Sequence, residues 1–192
     1  TITGGSGTDT LKITYDTDGA TADTITAVEM AKVSKIDTIQ FATDIAVDSL
    51  ALANANIAKG GTMTIDATLL TSQNATIDAS LELDGSITYK GGAGVDTVTG
   101  SAGADTISGN AGADVITGGK GADTITGGDG IDTFTYTAAN QSTGTTQDSI
   151  SDYVQGTDKF AVTIDNSTAS GALVVDATVQ TAQAGTAAIQ SN

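Results

Sequence analysis

The 192-residue chain has no cysteine, histidine, arginine, proline or tryptophan. Without cysteine, neither disulfides nor thiolate chemistry contributes, and with histidine also missing, zinc and copper sites lack their usual ligands. Seven lysines face 21 aspartates and two glutamates, a net charge of −16. No basic surface exists to hold phosphates, so nucleic acid is excluded as a partner. Four Tyr and three Phe are the only aromatics, which leaves little bulk for a globular core. The missing proline removes one common device for protecting sheet edges. No apolar run approaches the ~18 residues that begin to suggest a membrane span, so membrane insertion is not expected. No signal-peptide pattern opens the chain. Thr1 falls inside a patterned segment, which reads as part of something longer.

What the chain does have is Thr, Ala, Gly and Asp, a composition suited to thin, repetitive β architecture. Residues 91–135 divide into five windows of nine: GGAGVDTVT, GSAGADTIS, GNAGADVIT, GGKGADTIT and GGDGIDTFT. Position 6 is always Asp: Asp96, Asp105, Asp114, Asp123 and Asp132. Position 8 is always apolar: Val98, Ile107, Ile116, Ile125 and Phe134. Glycine fills position 1 (Gly91, Gly100, Gly109, Gly118, Gly127) and position 4 (Gly94, Gly103, Gly112, Gly121, Gly130), while Ser101 and Asn110 replace it at position 2. Glycines at this spacing permit loops with positive φ and carbonyls aimed at one centre. The next three residues, such as Thr106-Ile107-Ser108, form a short strand with one side chain inward. Loop plus strand is half a coil, so alternate windows stack on one edge, roughly 4.8 Å apart.

That stacking puts Asp96, Asp114 and Asp132 on one edge and Asp105 and Asp123 on the other. Bare carboxylates roughly 5 Å apart repel by about 3 kcal/mol at an effective dielectric near 20. A divalent cation between successive loops reverses the sign. Two carboxylates with backbone carbonyls, including those of the position 1 glycines, make an all-oxygen cage suited to Ca²⁺. The expected complete sites pair 96 with 114, 114 with 132, and 105 with 123. A flexible Gly-rich linker has no reason to keep an apolar residue at every ninth position, and a metal-free roll is the other alternative.

These windows resemble the RTX (repeats-in-toxin) nonapeptide, G-G-x-G-x-D-x-U-x. The resemblance implies an all-β fold: a right-handed parallel β-roll, folded by Ca²⁺ outside the cell after type I secretion. A further copy stands at residues 4–12, GGSGTDTLK, with Asp9 at position 6. Position 5 carries Val95, Ala104, Ala113, Ala122 and Ile131 where the family often has Asn.

Residues 1–90 repeat more loosely. Thr24-Ile25-Thr26, Thr38-Ile39-Gln40, Thr64-Ile65-Asp66, Thr76-Ile77-Asp78 and Ser86-Ile87-Thr88 suggest an irregular β-solenoid leading into the roll, with a β-sandwich as the alternative. Residues 27–36, AVEMAKVSKI, suggest a short helix, and Thr62–Ile87 resembles segments preceding calcium repeats in bacterial surface-layer (S-layer) proteins. Asp16-Thr17-Asp18-Gly19 reads as an Asx-turn, since the later ligands of an EF-hand loop are missing. Asp66 and Asp78 read as surface positions. After the roll, residues 136–192 are expected to cap it: Ile150, Tyr153, Val154 and Phe160 would cover the open end. The DSISDYVQGTDKF stretch is similar to an RTX closing motif, which implies that Asp148 and Asp152 complete an end site. The Ala/Thr/Gln-rich tail reads as a final strand pair or, by family analogy, an export signal.

Catalysis is not expected. Histidine is missing, no Ser lies in a G-x-S-x-G elbow, and loop geometry claims the aspartates. The composition and the solenoid-to-roll order instead suggest a structural constituent of a secreted bacterial S-layer on the cell surface. Its partners would be calcium ions, copies of itself in a lattice, and cell-surface polysaccharide reached through other regions. The alternatives are an RTX spacer or adhesin module, or the calcium-binding region of a secreted RTX enzyme or toxin.

Overall fold

The computed structural model describes residues 1–14, 23–42, 47–138, 140–143 and 146–163. The first half contains β1 (Ile2–Thr3), β2 (Thr10–Ile13), β3 (Asp23–Ile25), α1 (Ala27–Met30), β4 (Val33–Ser34), β5 (Thr38–Phe41), β6 (Val47–Ala51), β7 (Thr62–Asp66), β8 (Thr76–Asp78) and β9 (Ser86–Lys90). The second half adds β10 (Thr97–Thr99), β11 (Thr106–Ala111), β12 (Val115–Thr117), β13 (Thr124–Asp129), β14 (Thr133–Tyr136), β15 (Ser149–Ile150) and β16 (Lys159–Val162).

From β5 onward, consecutive strands alternate between two seven-stranded sheets. One sheet runs β2-β5-β7-β9-β11-β13-β15 and the other β3-β6-β8-β10-β12-β14-β16, with every pairing parallel. Each turn of chain therefore lays one strand in each sheet, which is a parallel β-solenoid. Inside the nonapeptide stretch Thr97 pairs with Val115 and Thr106 with Thr124, so each coil takes two windows. Elsewhere coils are longer: stacked Asp9 and Asp37 are 28 residues apart, and Asp132 and Asp158 are 26 apart. The register carries across residue 90 without interruption, since β9 pairs with both β7 and β11.

Strand formation follows from Thr-Ile-Thr triplets, whose β-branched side chains suit a pleated, half-buried surface. One inward column reads Leu11, Ile39, Ile65, Tyr89, Ile107, Ile125 and Ile150, and the facing one Ile25, Leu50, Ile77, Val98, Ile116, Phe134 and Phe160. Most of these are fully buried, each worth about 1.5–3 kcal/mol of transfer free energy. At the C-terminal end Tyr153 stacks on Phe160 with centroids 4.8 Å apart, and Phe160 lies 5.9 Å from Phe134.

Three expectations need correction. Residues 27–36 do not form one helix: a capping box between Thr26 and Glu29 starts a single turn that ends at Met30. Val33–Ser34 then pairs with Ile2–Thr3 as a strand, the extended state that β-branched Val33 favours. The strands of the second and fourth windows run to six residues rather than three, because Asn110 and Ala111 pair with Gly128 and Asp129. Of the four side chains expected to cover the open end, Val154 is 56 % exposed, while Ile150, Tyr153 and Phe160 pack inward. The Asp16-Thr17-Asp18-Gly19 segment lies outside the described residues.

Candidate metal centre

Position 6 immediately precedes each strand, two residues before the inward apolar side chain, so period two aims its side chain inward as well. Ile87 and Met63 occupy the place of Asp105 one and two coils earlier in their sheet, both buried. In the roll, carboxylates replace them. Asp96, Asp105, Asp114, Asp123 and Asp132 are all at most 1 % exposed.

The carboxylates form two hydrogen-bonded columns. The Asp96 N–H donates to Asp114 Oδ1 at 2.7 Å, and the Asp114 N–H to Asp132 Oδ1 at 2.9 Å. On the other edge the Asp105 N–H donates to Asp123 Oδ1 at 2.9 Å. Both columns run on: Asp123 N–H donates to Asp148 Oδ1 and Asp132 N–H to Asp158 Oδ1, each at 3.1 Å. At the upstream end, Ala75 N–H caps Asp96 Oδ1 and Ile87 N–H caps Asp105 Oδ1. Asp158 was missed by the sequence reasoning, as was Asp37, whose Oδ2 accepts from the Asp9 N–H at 2.7 Å. The signal was available: Asp37-Thr38-Ile39 and Asp158-Lys159-Phe160 share the D-x-apolar spacing of positions 6 to 8.

The second carboxylate oxygen separates the windows. Asp96 Oδ2 accepts from the Tyr89 hydroxyl at 2.8 Å and from Gly92 N–H at 3.2 Å. Asp105 accepts from the Ser101 N–H at 2.6 Å and the Ser101 hydroxyl at 2.7 Å. Asp114 Oδ2 and Asp123 Oδ2 are buried with no hydrogen-bond partner, the only such side-chain atoms among the described residues. An orphaned buried carboxylate oxygen is costly unless something positive meets it.

The position 1 glycines explain how space is kept. A Cβ on Gly109 would overlap both Asp114 Oδ2 and the Gly127 carbonyl oxygen, and one on Gly118 would overlap Asp123 Oδ2. On Gly91 it would collide with the Gly109 carbonyl oxygen and stand 2.7 Å from Asp96 Oδ2. Gly100 and Gly127 face Asp105 and Asp132 in the same way. These glycines are needed for close approach, not for positive φ. Positive φ belongs to positions 2 and 4 of the last three windows: Asn110 at 71°, Gly119 at 103° and Gly128 at 108°, with Gly112, Gly121 and Gly130 at 134°, 120° and 153°.

Burial pushes these acids up. Asp114 rises to about 7, chiefly by desolvation, with the Asp96 N–H bond opposing and the Asp96 and Asp132 charges adding. Asp123 rises to about 8 for the same first reason, with Asp148 and Asp105 adding. Asp105 and Asp148 rise to about 6, and Asp96 and Asp132 also move upward, all led by burial. No cluster of three or more acidic side chains able to hold a metal occurs among the described residues. Carbonyls must therefore supply the balance. A hard cation with oxygen ligands fits this donor set: orphaned Asp oxygens beside glycine carbonyls in a cradle that a Cβ would fill.

Of the remaining candidates, Asp9 Oδ2 accepts from Gly5 N–H at 2.8 Å. Asp148 Oδ2 accepts from the Tyr136 hydroxyl at 2.9 Å. Asp152 accepts from Gly127 N–H at 2.9 Å and Gly128 N–H at 2.7 Å. Asp66 and Asp78 make outer turns with Thr68 and Ser80.

A family model for the RTX calcium-binding nonapeptide repeat, four copies long, matches residues 90–125 and again 99–134. Comparisons with curated proteins and with solved structures gave no match. The matched residues are those that place one buried aspartate and one inward apolar side chain in every half coil. Residues 90–134 are accordingly an RTX calcium-binding repeat array, wound as a parallel β-roll within a longer solenoid.

Proposed function

We propose that this chain is a structural part of a secreted bacterial surface layer, folded on export by calcium and packed side by side with copies of itself. The supporting observation is the outer wall of the roll. Val95, Val115 and Ile131 are 44 %, 37 % and 51 % exposed; the register of Thr97, Val115 and Thr133 puts Val95 and Ile131 in one column with Ala113, and Val115 two residues on in the coil between them. On the opposite edge, where the Ala102 N–H donates to the Glu82 carbonyl, Leu81 and Leu83 stand out at 56 % and 63 %. An apolar flank on a stiff, acidic coil suits lateral contact between subunits.

Calcium between the rungs supplies the positive charge that lets the acid columns close. The chain supplies the rest: Asp114, Asp123 and Asp132 present carboxylate oxygens, and Gly109, Gly118 and Gly127 leave the room beside them. In a low-calcium cytosol, repulsion and burial of these acids keep the roll open and exportable. Outside, sites with Kd of roughly 10⁻⁴ to 10⁻³ M fill. The chain acts in this reading as material, not as a catalyst.

Electron microscopy of purified protein tests this. Two-dimensional order that appears with Ca²⁺ and disappears with chelator is the expected outcome. Dispersed monomers that bind sugar or ice under the same conditions favour the adhesin alternative.

A further inference from the structure

The acid columns are not uniform along the coil. At the upstream end, every carboxylate oxygen of Asp96 and Asp105 has a protein donor, and Tyr89 and Ser101 provide the side-chain ones. The downstream end is closed in the same manner. Asp148 accepts from Asp123 N–H and the Tyr136 hydroxyl, and Asp158 from Asp132 N–H and Val154 N–H. Between these ends Asp114 Oδ2 and Asp123 Oδ2 are buried and unpartnered.

The backbone gives the cause. In the first two windows, position 2 (Gly92, Ser101) keeps a φ outside the left-handed region, and its N–H donates to the aspartate Oδ2 of the same window. In the last three windows position 2 is left-handed, at Asn110, Gly119 and Gly128, and that donor is withdrawn. Ser pays a steric penalty at positive φ, whereas Asn and Gly tolerate it. The substitution of Ser101 and Asn110 for glycine is thus not equivalent. Asn110 preserves the open loop, and Ser101 fits the closed one.

We propose that the repeat array is metal-free at both ends and takes its cations only in the middle, at Asp114, Asp123 and Asp132, while Tyr89, Ser101 and Tyr136 close the terminal carboxylates in place of an ion. This rests on the calcium reading of the repeats and narrows it. Asp96 and Asp105 fit the repeat pattern yet act as hydrogen-bonded starters of the roll, and Asp148 acts as its stop.

Crystals of the full chain grown with calcium, or with a lanthanide in its place, decide the matter by anomalous scattering. Peaks within about 2.6 Å of Asp114, Asp123 and Asp132 oxygens and none at Asp96, Asp105 or Asp148 are expected. A peak at any of the latter three overturns the proposal. Equilibrium dialysis gives a second readout in solution. Asp114→Asn should lower the number of bound calcium ions, while Asp96→Asn should leave it unchanged; an equal loss in both variants overturns the proposal as well. A wild-type chain that binds no calcium at all would instead sink the underlying reading.

Discussion

The described residues of 38–90 and those of 91–135 wind on the same two sheets, yet they solve the interior differently. In the earlier coils β5, β7 and β9 each bring two apolar groups inward: Ile39 with Phe41, Met63 with Ile65, Ile87 with Tyr89. In the roll, of three inward positions, only position 8 is apolar; position 6 is Asp and position 1 is Gly. The first region holds itself by hydrophobic burial, which needs no ion. The second has exchanged much of that burial for buried carboxylates, so its stability is conditional on what neutralises them.

Removing calcium should separate the two regions most sharply. With chelator at neutral pH, hydrogen exchange is expected to lose protection through β11–β14 while β5, β7 and β9 stay protected. Uniform loss, or none, breaks the comparison. Next in size is Gly109→Ala, whose Cβ would overlap Asp114 Oδ2 and the Gly127 carbonyl. Calcium affinity should fall at least about tenfold, roughly 1.4 kcal/mol or more. Two coils earlier the corresponding place already holds buried Ala67, so Ala67→Gly should leave calcium affinity unchanged in the same titration.

Acidity offers a third test, on the chelated protein. Asp105, Asp114, Asp123 and Asp148 have folded-state values raised to about 6, 7, 8 and 6, above the usual 3.8. A raised carboxyl favours the folded state when protonated, so its contribution is complete below about 3.8 and is lost as pH rises through 6 to 8. Circular dichroism should therefore show the calcium-free roll regaining β structure between pH 8 and pH 4. With calcium present the dependence reverses, because protons compete for the same oxygens. A calcium-free roll that weakens on acidification would contradict the burial argument.

Smallest is Tyr89→Phe, which removes a hydroxyl from a buried carboxylate at the junction of the two regions. The Gly92 N–H still serves the same oxygen, so the loss should be roughly 0.5–1 kcal/mol, the low end for a net hydrogen bond, and it should appear in urea unfolding even with calcium saturating. An unchanged midpoint would mean that Asp96 finds another donor.

The nine-residue period alone was enough to give the half coil, the pairing of alternate windows and the choice of inward residue, because each depends on side-chain alternation and loop length. D-x-apolar spacing also carried Asp37 and Asp158, although only the strict windows drew attention to it. The limit of the early helix was less legible: AVEMAKVSKI fits a helical pattern locally, but a strand partner at Ile2–Thr3 claims Val33–Ser34. Val154 looked like a cap residue from its alternation, and the corner turn exposes it.

By itself the sequence determined the coil, its acid columns and the kind of ion they suit, since these follow from period, residue type and charge. Only the tertiary structure decided which aspartates keep a free oxygen. That depends on donors from other coils and residues brought near by folding, such as Tyr89, Tyr136 and the N–H of Ser101, and on a φ angle at position 2 that no composition states.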